Sequence, residues 1–357
     1  MKQNPKINIL LTFDYELPLG GISRSYDHSL FAPARRLLHF ADEHKVPLVF
    51  FADVLCDLRF SQKGITSFSN PFRMQLREAM DAGHDVQLHL HPHWMNTEIE
   101  ADRFIPGKPF MLGEYAQDDH PDKINEIVAQ GVEHLQNIAR KADSAYRCIA
   151  YRGGGYNLEP GCREILSALL ENGLKYDSTI VPGYVFYSQQ NRVDYRNMPN
   201  KPNWFLHPDS ELRQPAKDGL LEIPVASVPK RFFEMPTALK MRKYAYRAPE
   251  NRGKMIHSPE QLGIKEKWQM LMANRMLTID NFTYSQKYLN GMFDRHIAKY
   301  QNYEEVSLAL IGHPKSMGNY AFELLDGLIR HIREQYPAKA RFNTFREMAE
   351  ESKEEDS

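Results

Sequence analysis

The chain has 357 residues, of which 42% are hydrophobic and 25% charged, with 45 Lys and Arg against 46 Asp and Glu and a formal net charge of −1. This composition can bury a full core in one large domain or two smaller ones. Its balanced charge excludes a dedicated nucleic-acid binder, which needs a basic excess to neutralise phosphates. No stretch approaches the roughly 20 apolar residues that span a bilayer, and the apolar run after Lys2 and Lys6 is too short for a signal-peptide core. Cys56, Cys148 and Cys162 form no CxxC pair, as expected of thiols kept reduced, so the chain reads as cytoplasmic.

Short apolar runs alternate with amphipathic stretches along the chain, a repeating strand-helix grammar. Strands are expected at Ile7 to Phe13 and Val46 to Asp53, with helices at His28 to His44 and Phe72 to Ala82. The pattern continues with a strand at His84 to Leu90, a helix at Pro121 to Lys141, a strand at Arg147 to Tyr151 and a helix at Pro160 to Asn172. Leu174 to Ser178, Leu220 to Ala226 and Val306 to Gly312 complete about seven strands, which suits a barrel better than an open sheet. Residues 91–120 and 180–216 lack a sustained period and read as long loops over one end of that barrel. About 229–303 the chain carries helical patterns without a strand, which predicts a helical insertion. Thr344 and Glu347 form a capping-box pattern that opens a last helix. The whole reads as one domain over 1–349 followed by an acidic tail, 350–357.

Chemistry-bearing residues gather where these strands end. Asp14 and Glu16 follow the first strand, and alternation across an extended backbone points both one way and Tyr15 the other. Such a pair of carboxylates can share one metal ion. His89, His91 and His93 follow the third strand, with Pro92 suited to starting a turn. If the chain stays extended, His89 and His91 share a face; if it turns helically, His89 meets His93. Arg152 opens Arg152-Gly153-Gly154-Gly155-Tyr156, where consecutive glycines let backbone approach a ligand closely. His313 follows the last apolar strand, and Asp177 closes the fifth. Carboxylate and imidazole ligands with open positions suit zinc or another divalent metal. Barrel enzymes place their sites at this C-terminal face.

In order and rough spacing these motifs resemble those of the polysaccharide deacetylases of the NodB-homology group, carbohydrate esterase family 4. Thr12-Phe13-Asp14-Tyr15-Glu16 is similar to that family's first motif, Gly83-His84-Asp85-Val86 through His89 and His93 to its second, and Arg152 to Tyr156 to its third. Leu174 to Ser178 and Leu308 to His313 resemble the fourth and fifth. The resemblance implies an α/β fold, a distorted (β/α)7 barrel of the glycoside hydrolase/deacetylase type. It assigns Asp14 as general base, Arg152 as its partner, His313 as general acid supported by Asp177, and His89 and His93 as metal ligands. The carboxylate ligand falls to Glu16, because Tyr15 stands where the family usually has its metal-binding aspartate. The oxyanion is expected near Gly154, Gly155 and Tyr156, with glycines where prolines are usual in the third motif.

The implied reaction is metal-dependent hydrolysis of the N-acetyl group of a sugar in a polysaccharide or glycolipid precursor. An allantoinase-like hydrolysis of a small linear amide or ureide is the alternative, and a carbohydrate-binding protein that has lost catalysis a third. Between Lys230 and Arg247, basic residues interleaved with Phe232, Phe233, Tyr244 and Tyr246 admit peripheral contact with a membrane or a lipid-linked precursor.

Overall fold

The computed structural model describes residues 5–22, 25–100, 103–117, 120, 122–231, 262–280, 283 and 285–355. Seven parallel strands form its frame: β1 (Lys6–Tyr15), β2 (Val49–Asp53), β3 (Asp85–Leu90), β4 (Ala150–Gly153), β5 (Tyr176–Asp177), β6 (Leu220–Glu222) and β7 (Glu305–Gly312). They run in the order β6-β5-β4-β3-β2-β1-β7. Past β6, Val225 bridges Ala309 of β7 in parallel, and the Ala226 N–H donates to the Ala309 carbonyl at 2.9 Å, so the two ends of the curled sheet meet. The ring is distorted on either side of β1. Ala340–Phe342 pairs with Ile7 to Ile9 at its lower half, and β2 takes over from Thr12 to Tyr15.

Helices α1 (Ala32–His44), α2 (Val54–Gln62), α3 (Thr66–Asp81), α4 (Lys123–Ala139) and α5 (Cys162–Glu171) follow the first strands. Each is amphipathic, and the face it buries joins the larger core cluster outside the sheet with Ile9, Leu11, Phe13 and Tyr15 of β1. The alternate residues of β1 point into the ring. There Leu10, Val49, Phe51, Ala150 and Tyr176 form a smaller inner cluster with Phe345 and Met348. Those two come from α9 (Phe345–Glu355), which plugs the barrel with Phe345 5.7 Å from the Phe51 ring and 5.4 Å from Tyr176. The expected capping box starts this helix: the Thr344 N–H donates to Glu347 at 2.8 Å, and the Glu347 N–H to Thr344 Oγ1 at 3.2 Å.

The long segments after β3 and β5 hold short structure that alternation was too brief to announce. Glu98–Glu100 pairs with Arg103–Ile105, and Val185–Tyr187 pairs with Arg192–Asp194. The predicted helical insertion holds α6 (Ile264–Met272) and α7 (Gln286–Lys299). It also holds two strands of two residues each, Arg275–Met276 and Thr278–Ile279, the second pairing with β7. The expectation of an insertion without strands therefore fails, since a two-residue strand has no period to read. The basic and aromatic residues from Phe232 to Arg247 lie outside the described residues. After β7 comes α8 (Asn319–Gln335). No described helix is long and apolar enough to cross a membrane.

One buried histidine couples this packing to pH. His296 of α7 donates its Nδ1–H to the Ser227 carbonyl at 3.2 Å, and burial pushes its imidazole down to about 4. The unfolded chain binds this proton below about pH 6.5 and the folded chain only below about 4, so stability is lost as pH falls through that window, by roughly 3 kcal/mol from this group. His296→Gln should flatten the fall of unfolding free energy between pH 6.5 and 4, measured by denaturant titration. An unchanged slope would mean the buried imidazole is not what titrates.

Candidate active site at the C-terminal mouth of the barrel

β1 delivers two acids into the mouth. Asp14 and Glu16 are buried on the inner face, while Tyr15 turns outward, donates its hydroxyl to Gln75 at 2.7 Å and packs edge-on against Phe50. This is the alternation expected of the strand. Across the ring, β4 carries Arg152, fully buried. Its Nη1 donates to Asp14 Oδ1 at 2.9 Å and to Thr12 Oγ1 at 2.8 Å, and its Nε and Nη2 donate to the Ser178 carbonyl and hydroxyl at 2.8 Å each. Its guanidinium carbon lies 4.2 Å from the centre of the Phe51 ring. Four of the five N–H donors of the fork are bonded and its face is stacked, so the arginine is held in place. Burial alone would raise the Asp14 carboxyl; Arg152, then His89 and His313, bring it below its ordinary value.

The histidines sort themselves by backbone. His89 lies one residue before the end of β3, and its Nδ1–H donates to the Arg152 carbonyl at 2.8 Å, which turns Nε2 toward Glu16 at 3.6 Å. His91 is still extended (φ −108°, ψ 97°), so it shares that face and sets Nε2 2.5 Å from the same Glu16 oxygen. The helical turn begins only at Pro92, and it carries His93 away. Both His93 ring nitrogens are buried without a hydrogen-bond partner, its ring stacks on Phe110 at 5.4 Å, and burial pushes the imidazole well below its usual value. The structure thus brings together Glu16, His89 and His91, whereas the resemblance had pointed to His93. The reason is that the strand outlasts its hydrogen-bonded ladder by one residue.

The donor set fits a metal ion. Glu16 Oε2 and His89 Nε2 are buried and form no well-shaped hydrogen bond, yet with His91 Nε2 they converge on one point. Two imidazole nitrogens and one carboxylate oxygen with an open side are ligands suited to zinc and its neighbours. The Nδ1–H of His89 is fixed on the Arg152 carbonyl, which orients the ring and leaves Nε2 free to bind. Asp53, at the end of β2, accepts the His91 backbone N–H at 3.3 Å and the Trp94 indole at 2.7 Å and so holds the turn against the cluster. Asp14, Glu16 and His313 form a second group that overlaps the first.

β7 supplies the opposite wall. His313 Nε2 is 3.5 Å from both Asp14 Oδ2 and Glu16 Oε1, and burial lowers its imidazole against the pull of those two acids. Lys315, in the turn after it, places Nζ 2.8 Å from Glu16 Oε1. Burial would raise the Glu16 carboxyl, but Lys315, His91 and His89 hold it well below the carboxylate range. The same acids act on His89, which burial would lower: Asp14 and Glu16 lift it to about 9. Sequence reasoning passed over Lys315, in the turn after β7, and Asp53, which ends β2, although each lies near residues it did single out.

Asp177 does not support His313. Its carboxylate accepts the Thr179 N–H at 3.0 Å and the Thr179 hydroxyl at 2.7 Å, and it lies against Glu222 of β6. β6 stands between β5 and β7, so an acid at the end of β5 meets β6 first. Burial raises both acids, Glu222 well above its usual range, with Asp177 adding to that second shift. The acid that does act on His313 from the insertion side is Asp280, which accepts from the Thr278 hydroxyl at 2.8 Å. Thr179 also accepts the Gly153 N–H at 2.8 Å, so Asp177 braces the start of the glycine loop instead.

That loop closes the site. A Cβ on Gly154 would lie 2.7 Å from His91 Nδ1, and Gly155 sits at φ +64°, so the imidazole can take its place only against glycine. Asn191 donates to the Gly155 carbonyl at 2.8 Å and the Tyr195 hydroxyl to the Tyr156 carbonyl at 2.7 Å. Burial, then the charge of Asp14, push the Tyr156 phenol well above its usual value.

No protein-family profile matches the sequence. No curated protein is similar to it in sequence at a significant level. In three dimensions the chain is similar to a protein from Parabacteroides distasonis described as a glycoside hydrolase/deacetylase, at 10% identity and a TM-score of 0.53, over 99% of this chain and 72% of that one. A protein from Mycobacterium smegmatis described as a polysaccharide deacetylase matches at 14% identity and a TM-score of 0.47, over 100% of this chain and 93% of that one. An allantoinase, Puue, matches at 13% identity and a TM-score of 0.48, over 97% and 90%. The fold is that of the glycoside hydrolase/deacetylase barrels.

Proposed function

We propose that this chain is a metal-dependent hydrolase that removes the N-acetyl group from a sugar of a polysaccharide or glycolipid precursor. The observation that carries this reading is the convergence of Glu16, His89 and His91 beside the Asp14–Arg152 pair and His313 at one barrel mouth. A divalent ion, zinc first among them, would be held by Glu16, His89 and His91 and would supply Lewis-acid polarisation and lower the pKa of water toward about 7.

The chain's own residues take the remaining roles. Asp14, kept ionised by Arg152, accepts the proton of the attacking water. His313, 3.5 Å away, delivers a proton to the departing nitrogen. The tetrahedral oxyanion would lie toward the loop of Gly154, Gly155 and Tyr156, where a backbone N–H can meet it. Asp177 takes no part in proton transfer on this reading and steadies the loop through Thr179. Residues 1–349 would act as one domain that includes the insertion about 229–303.

The test is acetate release from N-acetylated sugars by protein loaded with zinc. Asp14→Asn should lower turnover by about a thousandfold while zinc content stays at the wild-type level, because the amide keeps the volume and loses the basicity. Full activity in that variant, or acetate release that survives chelation of the metal, would overturn the assignment. Hydrolysis of a linear ureide without acetate release would move the substrate to the allantoinase-like alternative.

A further inference from the structure

Three of the four most exposed large apolar side chains among the described residues share one helix. Ile264 (79% exposed), Trp268 (58%) and Met272 (57%) follow one another at intervals of four along α6, and this helix buries no residue. Such spacing sets them on a single face. Lys265 and Lys267, both exposed, stand on the two flanks of that stripe. The opposite face joins the helix to the protein: Glu266 pairs with Arg192 at 3.0 Å, and the Tyr187 hydroxyl reaches Gln269 at 3.5 Å. An apolar stripe of this kind, rimmed by lysines and turned away from its own domain, marks a contact surface.

Charge decides between the occupants. Residues 230–275 carry eleven Lys and Arg against four acids, in a chain whose formal net charge is −1. The segment 232–261 that precedes α6 is itself basic, with six Lys and Arg against three Glu, so covering the stripe with it would set like charges side by side. A second copy would bring the same lysines face to face. An anionic lipid surface meets both requirements, taking the apolar side chains below the headgroups and the lysines among them.

We propose that α6 docks on an anionic lipid bilayer through Ile264, Trp268 and Met272, with Lys265 and Lys267 at the headgroup level. The hairpin that holds α6 also carries Asn191, which is bonded to the Gly155 carbonyl of the glycine loop, so the docked face and the barrel mouth are linked through one short element. Docking itself does not depend on the hydrolase reading.

The chain's own fluorescence reports on this. Of its three tryptophans, Trp94 and Trp204 are buried, and only Trp268 is exposed to meet lipid. The full chain mixed with vesicles containing phosphatidylglycerol should co-sediment with them and show a blue-shifted tryptophan emission, and should do neither with phosphatidylcholine alone. Combining Ile264→Ser, Trp268→Ser and Met272→Ser should cut vesicle binding at least about tenfold with circular dichroism unchanged, and Lys265→Glu with Lys267→Glu should cut it comparably while keeping the tryptophan. Absence of binding by the wild-type chain, equal binding by these variants, or a dimer seen by light scattering that the serine variant loses without any lipid binding, would each overturn the proposal. Because acetate release from a soluble sugar should be equal in the wild type and the serine variant, failure here leaves the assignment of the active site untouched.

Discussion

His91→Ala should empty the metal site and lower turnover by about a thousandfold or more, whereas His93→Phe should leave metal content unchanged. The first change deletes the imidazole whose Nε2 stands 2.5 Å from Glu16, one of the three donors that converge there. Losing bound metal removes several kcal/mol of charge stabilisation from the reaction, which corresponds to that factor. The second change replaces a ring that already packs between Trp94 and Phe110, at 4.9 Å and 5.4 Å, with one of similar shape and no nitrogen to leave unpaired. Elemental analysis of the two purified variants separates the cases. Metal retained in His91→Ala and lost in His93→Phe would restore the pairing that the family resemblance implies.

Arg152→Met is expected to destabilise the fold by about 3–5 kcal/mol, the largest single effect outside the apolar core. The guanidinium is wholly buried and satisfies Asp14, Thr12 and Ser178 at once, so its removal takes from the buried Asp14 carboxylate its hydrogen-bonded positive partner and leaves only the weaker pull of His89 and His313. Without that guanidinium the Asp14 carboxyl rises toward protonation, and the protonated acid cannot serve as the base. The double variant with Asp14→Asn carries no such stranded charge. It should recover a large part of the loss, with a coupling of more than about 1 kcal/mol in denaturant titrations. Additive losses would show that Arg152 acts mainly by packing on Phe51, and the acid-arginine pair would lose its place in the argument.

Much of the fold was legible because it is written in runs long enough to carry a period. All seven parallel strands coincide with apolar runs, and Asp14, Glu16, His89, Arg152 and His313 could be found because each ends such a run and strand ends meet at one mouth. The choice between His91 and His93 rested on where the chain turns. Pro92 marks that turn, but φ and ψ at His91 decide it, and sequence leaves them open. The role of Asp177 was misread for a different reason. Its partner depends on which strand stands next around the ring, and the order that puts β6 between β5 and β7 is a property of closure. Asp280 follows a two-residue strand and Lys315 lies in a short turn, both too brief to stand out, and Glu222 ends a strand of three residues.

The seam between β1 and β7 gives the site a second meaning. These strands pair over eight positions, from Lys6 with Glu305 to Phe13 with Gly312, although they lie almost a whole chain apart. Asp14 and Glu16 come from one side of the seam, His313 and Lys315 from the other. Joining them closes a loop of nearly the full chain, so this pairing is expected to form after the local strand-helix contacts. Competence for chemistry and completion of the barrel are therefore one event: a partly folded chain, however much helix and sheet it has made, holds its acids on one edge and its histidine on another.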